Sequence, residues 1–562
     1  MKRNLKLLLT FMLTILVILA GCYGGEKKET TEVKKGENSS EETANTSEET
    51  VNPSVLHLSV AGEIPTLKTN GQMDGLSQTI IQNIFEGLFR MDANDNIIEG
   101  VVDTYDISED GKKYTFHLKK NSVWSNDKPV TADDFVYAWK RNLHPDTISA
   151  HAYLMGPMKN ASAIQDPENA LYGKVDELGV KAVDASTLEV ELDNTVPYFV
   201  ELLTNPVFYP QNQEFVEAEG DQYALEPENL IFNGPFILET WDHDQKWILK
   251  KNQKYWDADN VKLDEVNFKV AKDTATEVNL YETNTIDVVN LSSEFVDVYK
   301  DHKEYTTTLK SEVYFLRMNQ KNPQLANVNI RKAIDMGWDK EQVANAILKN
   351  GSKAAHWLVF PGFVDTPNGE DFRDTFGELN KGTVEEAQKL WNTGLKELGV
   401  SEISLELLSY DDGQRKSVAE FMKNQLEKNL PGLKITINQQ PNKQKLALED
   451  AQDYDLSHSG WRNDVADPVE FLSVFLSDGP YNWQSFKNEQ FDLFVKKAMV
   501  DFSDNEQRIK DLQEAEDILI GQEAAISPMY QAGSARLIKP YVKGLTAHSN
   551  STSSYQWVSI EK

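Results

Sequence analysis

The residue types best suited to chemistry stand together near position 460: His458, Gly460-Trp461, then Arg462-Asn463-Asp464-Val465-Ala466-Asp467-Pro468. A loop carboxylate in such a run can pair with a positively charged ligand group, and Asp464 is the candidate for that role. The elements that must position it are legible. Tyr454, Leu456, His458 and Gly460 alternate as in a half-buried strand. Asn, Asp and Pro then mark a loop. Residues 470 to 475 read as the start of a helix, with Asp467 as its N-cap and Pro468 in its first position. Open α/β sheets bind ligands in such places, just past the carboxyl end of a strand. The stretch by itself also fits one more solvated loop aspartate, and both readings stay open at this point.

The rest of the sequence offers no catalytic constellation. It contains no G-x-S-x-G, Walker loop, G-x-G-x-x-G or H-E-x-x-H. The nine histidines are scattered, with His117, His151, His243 and His458 each isolated. Asp133-Asp134 follow Thr131 and precede Phe135, Val136 and Trp139. That order predicts first-turn acids of a capped helix rather than a catalytic pair. A single cysteine, Cys22, permits neither an intrachain disulfide nor a thiolate metal cluster. The expectation is a protein that is not an enzyme and needs no metal or cofactor.

At 562 residues the chain exceeds what one hydrophobic core usually supports, so several lobes are expected. Apolar residues make up 40% and aromatic residues 10%, a globular composition. A formal net charge of −32 repels phosphate backbones and argues against a nucleic-acid partner. Lys2, Arg3 and Lys6 precede an apolar run from Leu7 to Ala20, broken only by Thr10 and Thr14. The run is short for a spanning helix and fits a signal peptide. It ends in Leu19-Ala20-Gly21-Cys22, which resembles the bacterial lipobox. That resemblance implies cleavage before Cys22 and a diacylglycerol on its thiol. Residues 23 to 53 carry eight Glu and four Lys among Thr, Ser, Asn and Gly. They read as a disordered tether with a reach of roughly 30 Å.

From Val55 the LHLSV run alternates as a strand, and Leu76, Ile80, Ile84 and Leu88 predict a helix over 76–89. Asp110-Gly111 marks a turn before the strand Tyr114, Phe116, Leu118. Thr383 and Glu386 form a capping box for a helix that Gly399 stops. Alternation at Ile403, Leu405 and Leu407, a helix over 414–429, and alternation at Leu433, Ile435 and Ile437 make a βαβ unit with parallel strands. The Tyr454 strand is expected to join that sheet. Ser503 and Glu506 are expected to cap a late helix bearing Ile509, Leu512, Ile518 and Leu519.

The order of these segments resembles a known family. Tyr114 to Leu118, then Val123-Trp124, a turn and Pro129 to Phe135 resemble the signature of the family 5 extracellular solute-binding proteins. These are the peptide- and nickel-binding components of ABC importers. Asn233 to Phe236, Asn252 to Trp256, Asn329 to Met336 and Pro528-Met529-Tyr530 follow in the family's order, so the resemblance covers about residues 55 to 560. Asn126-Asp127 stands where the family usually has Asp-Gly.

The resemblance implies an α/β, two-lobed periplasmic-binding-protein-like fold (type II, cluster C-like) with an extra small domain. Its divisions would be a signal peptide 1–21, a tether 22–53, lobe I in three parts (54–85, 190–303 and 530–562), a small domain II 86–189 and lobe III 304–529. The implied function is an extracellular oligopeptide receptor, monomeric and lipid-anchored to the cell membrane at Cys22. It would enclose peptide between its lobes and deliver it to the membrane permease of an ABC importer. Alternatives are another family ligand, such as a nickel chelate or a signalling peptide, or a surface peptidase. In the oligopeptide-binding branch an aspartate three residues after Gly-Trp pairs with the peptide's α-ammonium, and Gly460-Trp461 with Asp464 match that spacing. An enclosed carboxylate is unfavourable without such a partner. Trp461 would line the cleft or pack in the core. His458 occupies the position where well-known members carry an arginine that can meet the peptide's carboxylate, so that anchor does not carry over. Glu312 to Met318 resembles a strand near the bound chain, which makes Tyr314 and Phe315 candidates for cleft or core.

Overall fold

The computed structural model describes residues 53–71, 73–149, 151–463, 465–546, 548 and 552–562. Asp464, Cys22 and the signal and tether segments therefore lie outside the described residues.

The first lobe opens with Val55–Val60, which runs parallel to Glu265–Val270 with Val55 opposite Glu265. Lys246–Lys251 and Phe236–Asp242 complete this sheet as antiparallel neighbours. A second sheet joins Val102–Ile107, Lys113–Leu118, Thr187–Glu191 and Val180–Asp184, all antiparallel. Its first hairpin turns at Gly111, which takes φ +66°. Tyr114, Phe116 and Leu118 alternate inward, as their spacing predicts. The helix Ala132–Leu143 carries the expected capping box between Thr131 and Asp134. Asp134 is buried and also accepts a hydrogen bond from Trp124 Nε1 (3.1 Å), so this acid is structural. Leu56, Phe116, Trp139 and Trp247 belong to one hydrophobic core, so the two sheets share an interior.

A larger sheet is ordered Val288–Leu291, Ile526–Ile538, Tyr305–Met318, Leu456–Arg462, Ile403–Tyr410, Leu433–Gln440, with Lys353–Ala354 pairing on Ile526–Ile538. Ile403–Tyr410 and Leu433–Gln440 are parallel and joined by the helix Gly413–Asn429, the expected βαβ unit. Two strands are long. Tyr305–Met318 and Ile526–Ile538 begin and end in different cores. Tyr305, Ala535 and Leu537 pack with Val278, Tyr281 and Val296 beside the first lobe. Tyr314, Leu316, Met318, Met529 and Tyr530 enter the core of the second lobe. These two crossing strands carry the chain between the lobes.

The opposite face of the second lobe's sheet, with Val313, Phe315 and Ile526, packs on Phe471, Leu472, Phe475 and Leu519. Both faces of the sheet are therefore covered. The strand Leu456–Arg462 is buried at Leu456, Ser457, His458 and Ser459 alike, rather than half-buried as its alternation predicts.

Two helix boundaries also differ from expectation. The helix Gly75–Ile84 stops before Phe85, whose backbone is extended. Glu86 turns instead into a buried cluster with Tyr255, Trp256 and Arg90. Gly87 then packs under the Tyr209 ring, where a Cβ would come within 2.6 Å. The late helix Asn505–Glu516 is capped by Asp504, which accepts from Gln507 N (3.0 Å), and Ser503 Oγ is occupied by Asp501 (2.6 Å).

Candidate ligand cleft

The strand Leu456–Arg462 lies antiparallel to the first crossing strand, with Gly460 opposite Tyr314 and Arg462 opposite Glu312. Gly460 is glycine for a steric reason. A Cβ there would sit 2.9 Å from the Tyr314 ring, which lies across it. Tyr314 is buried and stacks on Tyr530 with ring centroids 4.9 Å apart. Its hydroxyl accepts a hydrogen bond from Arg415 Nη2 (2.7 Å). The Arg415 guanidinium rests 4.1 Å above the Tyr410 ring and pairs with Asp412, the N-cap of its own helix, at 3.2 Å.

His458 lies behind this aromatic group. It is fully buried, edge-on to Tyr314 and Tyr410, with Nε2 3.3 Å from Tyr530 Oη. Burial, reinforced by the charges of Arg415 and Lys445, holds its pKa well below the ordinary histidine value, so the ring is neutral. Its ring is enclosed by Tyr314, Tyr410 and Tyr530. Arg415, one-third exposed, is the cation on that side. Phe315 points to the other face of the sheet, is fully buried against Phe475 and serves the core. The sheet is held from below by a buried polar network. Lys445 pairs with Glu449 at 2.8 Å, and Glu449 also accepts from Ser457 (2.7 Å) and from Ser459. Burial lowers the Lys445 pKa to about 8.

Beyond Gly460 the chain leaves the sheet and meets the first lobe. Trp461 is partly buried, edge-on to Tyr481 at 5.2 Å on the margin of the second lobe's core. Arg462 Nη2 donates to Gln78 Oε1 (3.0 Å) on the helix Gly75–Ile84. Asn463 N donates to the carbonyl of Ser311 on the crossing strand (3.2 Å). Val465 is buried in the first lobe's core, and Ala466 N donates to Glu201 Oε1 (2.7 Å) from the short helix Phe199–Leu202. Asp467 accepts from Val469 N (2.9 Å), which fixes the start of the helix Val469–Leu472, and pairs with Arg508 (2.8 Å). The segments on either side of Asp464 are thus gripped by both lobes. Between them lies a cavity of about 80 Å³ lined by Glu201, Ser311, Phe360, Phe363, Asn463 and Val465.

Sequence reasoning missed Glu201 and Asn463. Glu201 sits in the apolar run VPYFVELL, which reads as core, and only the distant loop gives its carboxylate a setting.

With this geometry in place, comparison with known proteins is decisive. Residues 96–483 match the family of bacterial extracellular solute-binding proteins, family 5 (its middle region). The chain belongs to this family. The dipeptide-binding protein DppE of Bacillus subtilis (strain 168) is 31% identical over 531 residues, 94% of this chain and 94% of the relative. Among solved structures, the substrate-binding domain of an oligopeptide ABC transporter from Bacillus anthracis str. Ames superposes with a TM-score of 0.79 at 42% identity, over 90% of this chain and 99% of that one. Listeria monocytogenes OppA bound to peptide gives 0.79 at 37%, over 91% and 99%. The architecture is that of the two-lobed peptide-binding members, and family 5 proteins are binding proteins. Among the described residues no helix is long and apolar enough to cross a membrane.

Proposed function

We propose that this protein is an extracellular oligopeptide receptor. In this reading a lipid on Cys22 tethers it to the membrane, and it passes peptides to the permease of an ABC importer. One observation carries the reading: the loop after Gly460-Trp461, which belongs to the second lobe, is hydrogen-bonded across to the first, by Arg462 to Gln78 and by Ala466 to Glu201. Contacts of that kind exist only while the lobes are closed, so capture of a ligand and closure on the two crossing strands become one event. The Listeria relative solved with peptide supports the ligand class.

An extended peptide offers its backbone to strand edges, which fixes direction and leaves side chains loosely specified. Asp464 is assigned the α-ammonium at one end, with Gly460 and Trp461 forming the wall beside it. At the other end Arg415 takes the role that His458, buried and neutral, cannot fill. The bodies that close are residues 54–303 with 530–562, small domain included, and residues 304–529.

Calorimetry with free and N-acetylated tetrapeptides on wild type and Asp464→Asn tests this assignment. Losing one partner of an enclosed charge pair typically costs about 2–5 kcal/mol, roughly 30-fold or more in affinity. Wild type should lose that much on acetylation. Asp464→Asn should bind both peptides weakly and discriminate little between them, because each change removes the same pair. Equal affinity of wild type for both peptides removes Asp464 from the site.

A further inference from the structure

The cavity between the lobes contains two polar groups that the fold leaves unmatched. Glu201 is largely buried, yet among the described residues no cation pairs with it. Among the described residues its carboxylate accepts one hydrogen bond, from Ala466 N. The carboxylate of Asp467 acts on it, and Arg508 is already committed to that residue. Burial first, then Asp467, pushes the Glu201 pKa up to about 7. Asn463, 3% exposed, has neither Nδ2 nor Oδ1 in any hydrogen bond. Orphaned amides at this depth are rare and unfavourable. The remaining wall is aromatic, with Phe360 and Phe363 edge-to-face at 4.8 Å.

A carboxyl group without a cation, an amide oxygen without a donor and two aromatic rings together suit a cationic donor. A primary ammonium has three donors and no acceptor, and aromatic faces attract it. Size agrees. The cavity, about 80 Å³, is smaller than the roughly 150 Å³ that admits benzene, so it takes the tip of a lysine but not a bulky ring. We propose that this cavity receives a primary ammonium of the bound peptide, with Glu201 as counter-ion and Asn463 Oδ1 as second acceptor. Asn463 and Val465 flank Asp464 in sequence, so, with the α-ammonium assigned to Asp464, the guest is the side-chain ammonium of an amino-terminal lysine. The inference rests on the peptide-receptor reading and gives that receptor a preference for basic amino-terminal residues.

The test uses tetrapeptides that begin with lysine, norleucine or ε-N-acetyl-lysine, each with a free or acetylated α-amine. They are titrated calorimetrically into wild type, Glu201→Gln, Asn463→Ala and Asp464→Asn. If the guest is a side chain, wild type prefers lysine over both neutral analogues by at least about 30-fold. Glu201→Gln then shrinks that preference to within about threefold, Asn463→Ala weakens it, and Asp464→Asn keeps it. A Glu201→Gln protein that loses the acetylation penalty while Asp464→Asn keeps it overturns the side-chain assignment. Wild type binding all six peptides equally overturns the proposal, and so does a Glu201→Gln protein that discriminates as wild type does. Should that variant lack a cooperative melt, the six-peptide series on wild type still decides. Failure of wild type to bind any of the peptides strikes the receptor reading itself, not this refinement.

Discussion

At the scale of single residues, the environment of each group decides its role. Glu201 has a sign that can be worked out. Its folded pKa, about 7, lies above the ordinary 4.5, so the folded state holds a proton that the unfolded chain has released across that window. The stability this confers is complete below about 4.5 and is lost as pH rises through 7, by at most about 3 kcal/mol. Among the described residues the charge acting on Glu201 is Asp467, which raises its pKa and is itself paired with Arg508; the Tyr198 hydroxyl stays protonated throughout. In ligand-free protein, Glu201→Gln should therefore match wild type in melting temperature at pH 5 and exceed it at pH 8. The gap should be about 3 °C for a chain of this length. Differential scanning calorimetry at the two pH values checks it, and a gap that narrows as pH rises contradicts the assignment. His458 gives a second prediction. Restoring the arginine that family members carry, His458→Arg, buries an unpaired charge beside Arg415 and Lys445. It should destabilise the fold by about 3–5 kcal/mol, read from the denaturation midpoint, rather than create a peptide anchor.

At the scale of elements, the crossing strands are the parts whose integrity closure needs. Gly533 lies on the second of them against the turn that leads into Lys353–Ala354. A Cβ at this position would lie 2.5 Å from the carbonyl carbon of Gly351. Because the obstacle is backbone, Gly533→Ala should displace that edge and destabilise the protein by about 1–3 kcal/mol, measurable by urea denaturation. Elements of this kind were legible where their signals were local. The Thr383–Glu386 capping box, the Gly399 stop at φ +69° and the parallel pair around Gly413–Asn429 all follow from neighbours in sequence. What was illegible depends on distant partners. The Leu456–Arg462 strand alternates like a surface strand, but the helix Asn442–Asp450 covers its other face, where Glu449 accepts from Ser457 and Ser459. His458 is sealed by Tyr410 and Tyr530, and Glu201 meets Ala466 across a separation of 265 residues. No periodicity reports such contacts. The family resemblance supplied the loop and its strand but gave no sign that His458 and Phe315 are fully buried.

At the scale of the whole molecule, a tethered body of two lobes should be separable from its anchor. Cys22→Ala should release the protein into the medium or leave it as an unprocessed precursor. Membrane fractionation of a mature-size mutant would contradict lipidation, since stable attachment takes two acyl chains, as a diacylglycerol provides. The body from residue 53 onward should bind peptide as the full chain does. Saturating peptide at about 100 times Kd should stabilise it by about 2.7 kcal/mol through mass action. The central claim is that the closed cleft holds peptide and returns it unchanged. Mass spectrometry of ligand released from the washed protein, after stripping and equilibration with a defined mixture of tri- to hexapeptides, tests this most directly. The predicted result is intact peptides in near-stoichiometric amount; no retained peptide, or fragments accumulating in proportion to protein, would contradict it.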